Sequence, residues 1–127
     1  MQRIPTLIGV GGHFKGEHYT LRYGRTITIG RSREADFSLK RTESYRNTSP
    51  EEHELDEAAQ TVSAKHLQVT MYNLRSIEIK NLSPNGTQVD GQPVESLVIN
   101  DIATTAHVIH FGVQEVLRLE MREQKDS

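Results

Sequence analysis

The chain has 127 residues, 35% hydrophobic and 25% charged, with nine glycines and four prolines; this is the size and make-up of one folded domain, not of two domains or a disordered chain. Fifteen Lys and Arg against 17 Asp and Glu give a net charge of −2, which excludes the basic excess of a nucleic-acid or anionic-membrane binder. Cysteine is absent, so disulfides, thiolate catalysis, Cys-ligated zinc and iron–sulfur clusters are excluded together.

Residues 1–7 lack the apolar run of about 7 to 15 residues that a secretion signal needs, and no stretch approaches a membrane span. The expected compartment is the cytoplasm, with no membrane insertion. The N-x-S/T matches at Asn47, Asn81 and Asn85 then read as turn and capping chemistry rather than glycan acceptors.

Period two dominates from the start. Strands are expected at 6–10 and 18–23, separated by Gly11-Gly12. Ile27 and Ile29 then alternate with Thr26 and Thr28, and a further strand is expected at 36–39. After a break, Leu67, Val69 and Met71 alternate with Gln68 and Thr70, and Ile77 and Ile79 with Glu78 and Lys80. Each run puts apolar side chains on one face and polar ones on the other. Short strands at 87–89 and 92–94 flank Asp90-Gly91, a dipeptide suited to a tight hairpin tip. The last strands are expected at 106–112 and around Leu117, Leu119 and Met121. Many short strands separated by turn residues imply an antiparallel sandwich or barrel.

Residues 41–62 break the rhythm. They hold six acids (Glu43, Glu51, Glu52, Glu54, Asp56, Glu57) and two bases (Arg41, Arg46), a net of −4. The segment reads as an acidic loop insertion carrying one short helix, with Ser49 at the N-cap, Pro50 at the first helical position, and Glu52 placed to complete a capping box. The remainder of the chain is left at +2, an imbalance too small for a nucleic-acid surface.

Three clusters occupy turns between strands: Ile29-Gly30-Arg31-Ser32, Ser63-Ala64-Lys65-His66, and Asn81-Leu82-Ser83-Pro84-Asn85-Gly86-Thr87. Singly each is weak. In this order, with these strands around them, they resemble the forkhead-associated (FHA) domain, whose signature runs G-R, S-x-x-H, N-G. The resemblance covers residues 5–122, leaving 123–127 as a polar tail. It implies an all-β fold, an FHA-like β-sandwich of about eleven mostly antiparallel strands that reads phosphothreonine peptides from loops at one end.

The residues fit that chemistry. A phosphothreonine carries about −1.5 to −2 charges and three acceptor oxygens, so its receptor needs a permanent cation with directional donors. Arg31 supplies a forked guanidinium. Ser63 adds a hydroxyl, and by resemblance its backbone amide, and Lys65 adds charge. By resemblance Asn85 holds the peptide backbone beside the phosphoresidue, and His66 is a scaffold residue whose ring braces the loops. Gly30 is expected to allow a sharp turn at a strand end, and Gly86 to take positive φ. Pro84, where the family commonly has a small polar residue, supplies no N–H.

The implied function is a non-catalytic phosphothreonine-dependent protein-binding module acting downstream of a Ser/Thr kinase, with no cofactor. The competing reading is an FHA-fold interaction domain that binds its partner without phosphate. A Ser63–His66 catalytic pair lacks both a G-x-S-x-G elbow and a marked acid partner. No metal site is expected either, since His107 and His110 are three apart in a strand and face opposite sides. Thr48 in the acidic insertion is a candidate regulatory phosphosite; the plainer reading has Thr48 and Ser49 capping a surface helix. The negative insertion is also a candidate competitor for Arg31, in which case deleting 43–57 raises ligand affinity.

Overall fold

The computed structural model describes residues 2–124. Eleven strands follow in order: β1 (Gln2–Gly11), β2 (His18–Thr20), β3 (Thr26–Gly30), β4 (Phe37–Ser38), β5 (Leu67–Asn73), β6 (Ser76–Asn81), β7 (Thr87–Val89), β8 (Gln92–Pro93), β9 (Ser96–Ile99), β10 (His107–Phe111) and β11 (Glu115–Gln124). The apolar alternation dictates which way each faces. Leu67, Val69 and Met71 of β5, Ile77 and Ile79 of β6, and Leu117 and Leu119 of β11 are all buried, while their polar neighbours look outward. Two sheets result, ordered β2-β1-β11-β10-β7-β8 and β4-β3-β5-β6-β9. They enclose one core, and among the described residues only β3–β4 pairs in parallel.

Residues Asp90 and Gly91 join β7 to β8 with φ of 52° and 84°. Positive φ at both central residues makes this a type I′ turn, whose twist matches the flanking strands.

Several boundaries differ from expectation. β1 begins at Gln2, because residues 2–9 pair throughout with β11. The expected strand at 18–23 stops at Thr20, and the one at 36–39 gives way at Leu39 to a 3-10 turn (Leu39–Arg41). β9 had no signal: Ser96-Leu97-Val98-Ile99 does not alternate, and at the sheet edge Val98 stays exposed. Glu123 and Gln124, read as tail, extend β11; residues 125–127 lie outside the described residues.

The insertion holds three short helices rather than one: α1 (Glu43–Arg46), α2 (Pro50–Leu55) and α3 (Glu57–Gln60). Each has its own N-cap, since Thr42, Ser49 and Asp56 side chains accept from the amides of Tyr45, Glu52 and Ala59. Tyr45, Ala59 and Val62 are buried in the main core. His13 ties the insertion down from outside it: Nδ1 meets Ser44 Oγ at 2.8 Å and Nε2 meets Asp56 Oδ2 at 2.6 Å. His13 is in turn held by buried Glu115, whose carboxylate accepts from the amides of His13 and Phe14 at 3.2 and 3.1 Å. Burial pushes the Glu115 carboxyl upward, against the pull of those two amides.

Candidate functional site

The three turn clusters meet at one end of the sandwich. β3 delivers Arg31, and the chain after it runs against the segment leading into β5: the Arg31 amide donates to the Ser63 carbonyl at 2.9 Å and the Ser32 amide to the Ala64 carbonyl at 3.2 Å. Gly30 permits this approach. A Cβ there would lie 2.1 Å from the Ala64 carbonyl oxygen. The contact between two backbones therefore requires glycine here; β3 ends at Gly30 and the chain bends at Arg31, without a positive φ at Gly30 itself.

His66 is fully buried and joins two of the loops. Its Nδ1 accepts the Ser63 amide at 3.0 Å, and its Nε2–H donates to the Gly86 carbonyl at 2.7 Å. An amide can only donate and a carbonyl can only accept, so the ring is neutral and in one tautomer. Burial lowers its pKa, with the Gly86 carbonyl pulling the other way. Gly86 follows with φ of 85°.

The Ser63 amide, expected by resemblance to help at the site, is engaged by His66. The Ser63 hydroxyl lies 2.6 Å from that of Ser83, and Ser83 Oγ accepts the Asn85 amide at 3.1 Å. Ser83 is buried and supports both Ser63 and Asn85. It belongs to the third cluster, yet nothing in the sequence singles it out. Asn81 fixes this turn, its Oδ1 accepting from the Ser83 amide and the Thr87 hydroxyl and its Nδ2 donating to the Ser83 carbonyl.

The insertion reaches the same place. Arg31 Nη1 donates to the Gln60 carbonyl at 3.1 Å, and Asn85 Nδ2 to the Thr61 carbonyl at 2.9 Å. Arg31, Ser63 and Asn85 are thus drawn to one locus, each steered by a backbone carbonyl or a neighbouring hydroxyl. Lys65 is exposed between Ser63 and His66 and forms no side-chain hydrogen bond or ion pair among the described residues. Thr48 lies apart in the insertion, where its hydroxyl donates to the Tyr45 carbonyl at 2.6 Å.

The model of the FHA domain matches residues 27–112. The chain belongs to the FHA domain family. Among solved structures it is 26% identical to one from an analysis of phosphothreonine-dependent FHA domain interactions, covering 95% of this chain and 99% of that one with a TM-score of 0.64. It is 27% identical to the FhaA FHA domain, solved in complex with the intracellular domain of Rv3910 (90% and 98% covered, TM-score 0.59). The FHA domain of the CT664 protein of Chlamydia trachomatis shares the fold at 20% identity (96% and 100% covered, TM-score 0.67). No curated protein sequence matches the chain. FHA domains are known as phosphothreonine-peptide binding modules and are generally non-catalytic. In this FHA domain the Ser63 hydroxyl reaches Ser83 and not the His66 ring.

A second histidine of this FHA domain sets up a pH test. His107 places Nδ1 2.5 Å from Asp90 Oδ2 and Nε2 2.6 Å from Asp101 Oδ1, clasping the β7–β8 hairpin. Partial burial opposes its charge, but the two carboxylates outweigh that and raise its pKa. A raised folded pKa gives stability that is present below about 6.5, the unfolded value, and lost as pH rises through the folded value. His66, with a lowered folded pKa, contributes the opposite: stability present above about 6.5 and lost as pH falls. Urea midpoints measured from pH 5 to 8 should fall on both sides of neutrality in the wild type. His107→Gln should remove the fall on the alkaline side and keep the acid side. An unchanged profile in the variant would rule the clasp out.

Proposed function

We propose that this FHA domain binds phosphothreonine-containing segments of a partner protein, has no catalytic activity of its own, and acts downstream of a Ser/Thr kinase in the cytoplasm. The observation that carries the reading is the convergence of Arg31, Ser63 and Asn85. Arg31 uses one N–H on Gln60, so the rest of its fork is available to two phosphate oxygens. Ser63 adds a hydroxyl at the same locus. Asn85 commits its amide nitrogen to Thr61 and keeps Oδ1 to accept a peptide N–H. Lys65, exposed next to Ser63, contributes long-range attraction for the dianion rather than a fixed contact. The 26%-identical structure comes from work on phosphothreonine-dependent interactions, and the 27%-identical one holds an intracellular domain as partner. Among the described residues no helix is long and apolar enough to cross a membrane.

Thr48 fits a modification site less well than its loop position implied. Its hydroxyl is bonded to Tyr45, and a phosphate there would break that bond.

The function is tested by titrating a phosphothreonine peptide library and its unphosphorylated twins by fluorescence anisotropy. Phosphorylated members should bind at least tenfold more tightly, the value of one charge-assisted hydrogen bond at about 1.5 kcal/mol. Equal binding of each twin pair would replace this reading with phosphate-independent recognition.

A further inference from the structure

The acidic insertion does more than lengthen a loop, because it walls off a recess of about 330 Å³ beside the phosphate-binding arginine. Its lining includes Arg31, Lys40, Tyr45, His53, Glu54 and Gln60. The walls are fixed. Tyr45 is buried in the core, and the His53 ring stacks on it with centroids 3.8 Å apart and planes 7° apart. His53 Nε2 also reaches the Tyr45 carbonyl at 2.8 Å, and His13 latches both ends of the insertion through Ser44 and Asp56. A volume at the low end of ligand pockets suits one or two side chains.

The charges inside it are not explained by the fold. Arg31 and Lys40 are both half-buried and line the same recess, and among the described residues neither pairs with a carboxylate. Lys40 makes no side-chain hydrogen bond among the described residues. Two like charges held in one recess raise the free energy of the fold unless an anion joins them. Glu54, from α2, is the only acid lining the recess among the described residues, and it is bonded to neither cation. A segment whose net charge is −4 thus contributes walls to a recess whose fixed charge is positive.

We propose that this recess is a second anion subsite, which takes an acidic side chain (a carboxylate or a second phosphate) of the same ligand whose phosphothreonine engages Arg31. Arg31 is shared between the two sites, Lys40 supplies the charge specific to the second, and Glu54 weakens it. The subsite rests on the phosphothreonine reading above. It also replaces the idea of the insertion as a simple competitor: deleting 43–57 would remove Tyr45 from the core, so the charge of Glu54 has to be tested by itself.

The test uses phosphothreonine peptides with neutral flanks, with one aspartate or glutamate walked along the flanking positions, and with one phosphoserine walked likewise. Wild type, Lys40→Gln and Glu54→Gln are compared by fluorescence anisotropy. Wild type should prefer an acid at one flanking position by roughly threefold to fivefold, the range of a partly exposed ion pair, and a phosphate there by more. Lys40→Gln should abolish that preference while leaving the phosphothreonine-over-threonine ratio unchanged, and Glu54→Gln should enlarge it. The opposite signs separate the effect from a loss of folding. Binding with no preference at any flanking position, or a Lys40→Gln loss equal for acidic and neutral peptides, overturns the subsite alone. Absence of binding to every phosphopeptide overturns the function and the subsite together. A preference for phosphate with none for carboxylate identifies a doubly phosphorylated ligand, and equal preference for both identifies charge as what is read.

Discussion

Replacing His66 by alanine should cost about 3 to 5 kcal/mol of stability, the largest loss expected from any single change at this end of the sandwich. The estimate combines two effects. Truncating a fully buried ring leaves a cavity against Phe111, whose ring centroid lies 5.3 Å away. It also leaves the Ser63 amide and the Gly86 carbonyl without partners, each worth about 1 to 3 kcal/mol where water is excluded. A domain of this size has only about 5 to 15 kcal/mol in total, so the thermal midpoint should drop by on the order of 10 °C. His66→Phe divides the two effects, since it refills most of the volume and restores neither hydrogen bond. It should recover the cavity part of the loss and no phosphopeptide affinity. Because the Ser63 and Gly86 loops carry the hydroxyl and the asparagine, both variants should bind phosphopeptide more weakly even at temperatures where they remain folded. A His66→Ala midpoint within about 2 °C of wild type would mean that the ring does not hold the loops.

The parts of this fold that the sequence makes legible are those set by local periodicity. Leu67, Val69 and Met71 announce β5 because a half-buried strand needs apolar residues at alternate positions and nothing else. β9 is silent for a different reason: Leu97 and Ile99 face the core, but the exposed position between them is also apolar, Val98, so no alternation shows. The three helices of the insertion are four, six and four residues long. None completes two turns, so no apolar stripe forms, and their ends rest on capping by Thr42, Ser49 and Asp56. Only the Ser49 cap, followed by proline, reads clearly in advance.

The site divides along the same line. Arg31, Ser63, His66 and Asn85 stand in short ordered motifs and can be named from the chain, whereas what each one touches is set by residues far away. Ser83 meets Ser63 across 20 positions, and His13 meets Asp56 across 43. Such contacts have no local signature. Gly30 is the instructive case: the motif marks it as glycine, but the cause is the Ala64 carbonyl 2.1 Å from a missing Cβ, and only the folded chain reveals it. The near-neutral net charge is likewise an average over distant parts: the −4 of residues 41–62 offsets a positive body, and only the folded chain shows that this acidic segment contributes walls to a positive recess.

Arg31→Ala should lower phosphothreonine-peptide affinity by about thirtyfold to nearly a thousandfold, equivalent to about 2 to 4 kcal/mol. The range follows from what the side chain offers. A guanidinium facing a phosphate forms charge-assisted hydrogen bonds, each worth about 1.5 to 3 kcal/mol, and truncation also leaves the dianion facing a site with less positive charge. Stability should change little by comparison, because the only hydrogen bond the side chain makes among the described residues is to the Gln60 carbonyl. The position of the loop depends on the Arg31 amide, which alanine retains. A circular-dichroism melt within a few degrees of wild type, alongside a collapse of affinity, is therefore the expected pair of results. Arg31→Lys refines the test. Lysine keeps the charge and loses the fork, so it should recover part of the affinity while becoming more sensitive to salt. If the alanine variant instead binds phosphorylated and plain peptides as the wild type does, the phosphate is read elsewhere and the roles of Ser63 and Asn85 fall with that of Arg31. If affinity and melting temperature collapse together, Arg31 serves the fold through Gln60 rather than the ligand, and the lysine variant should then melt like the alanine one.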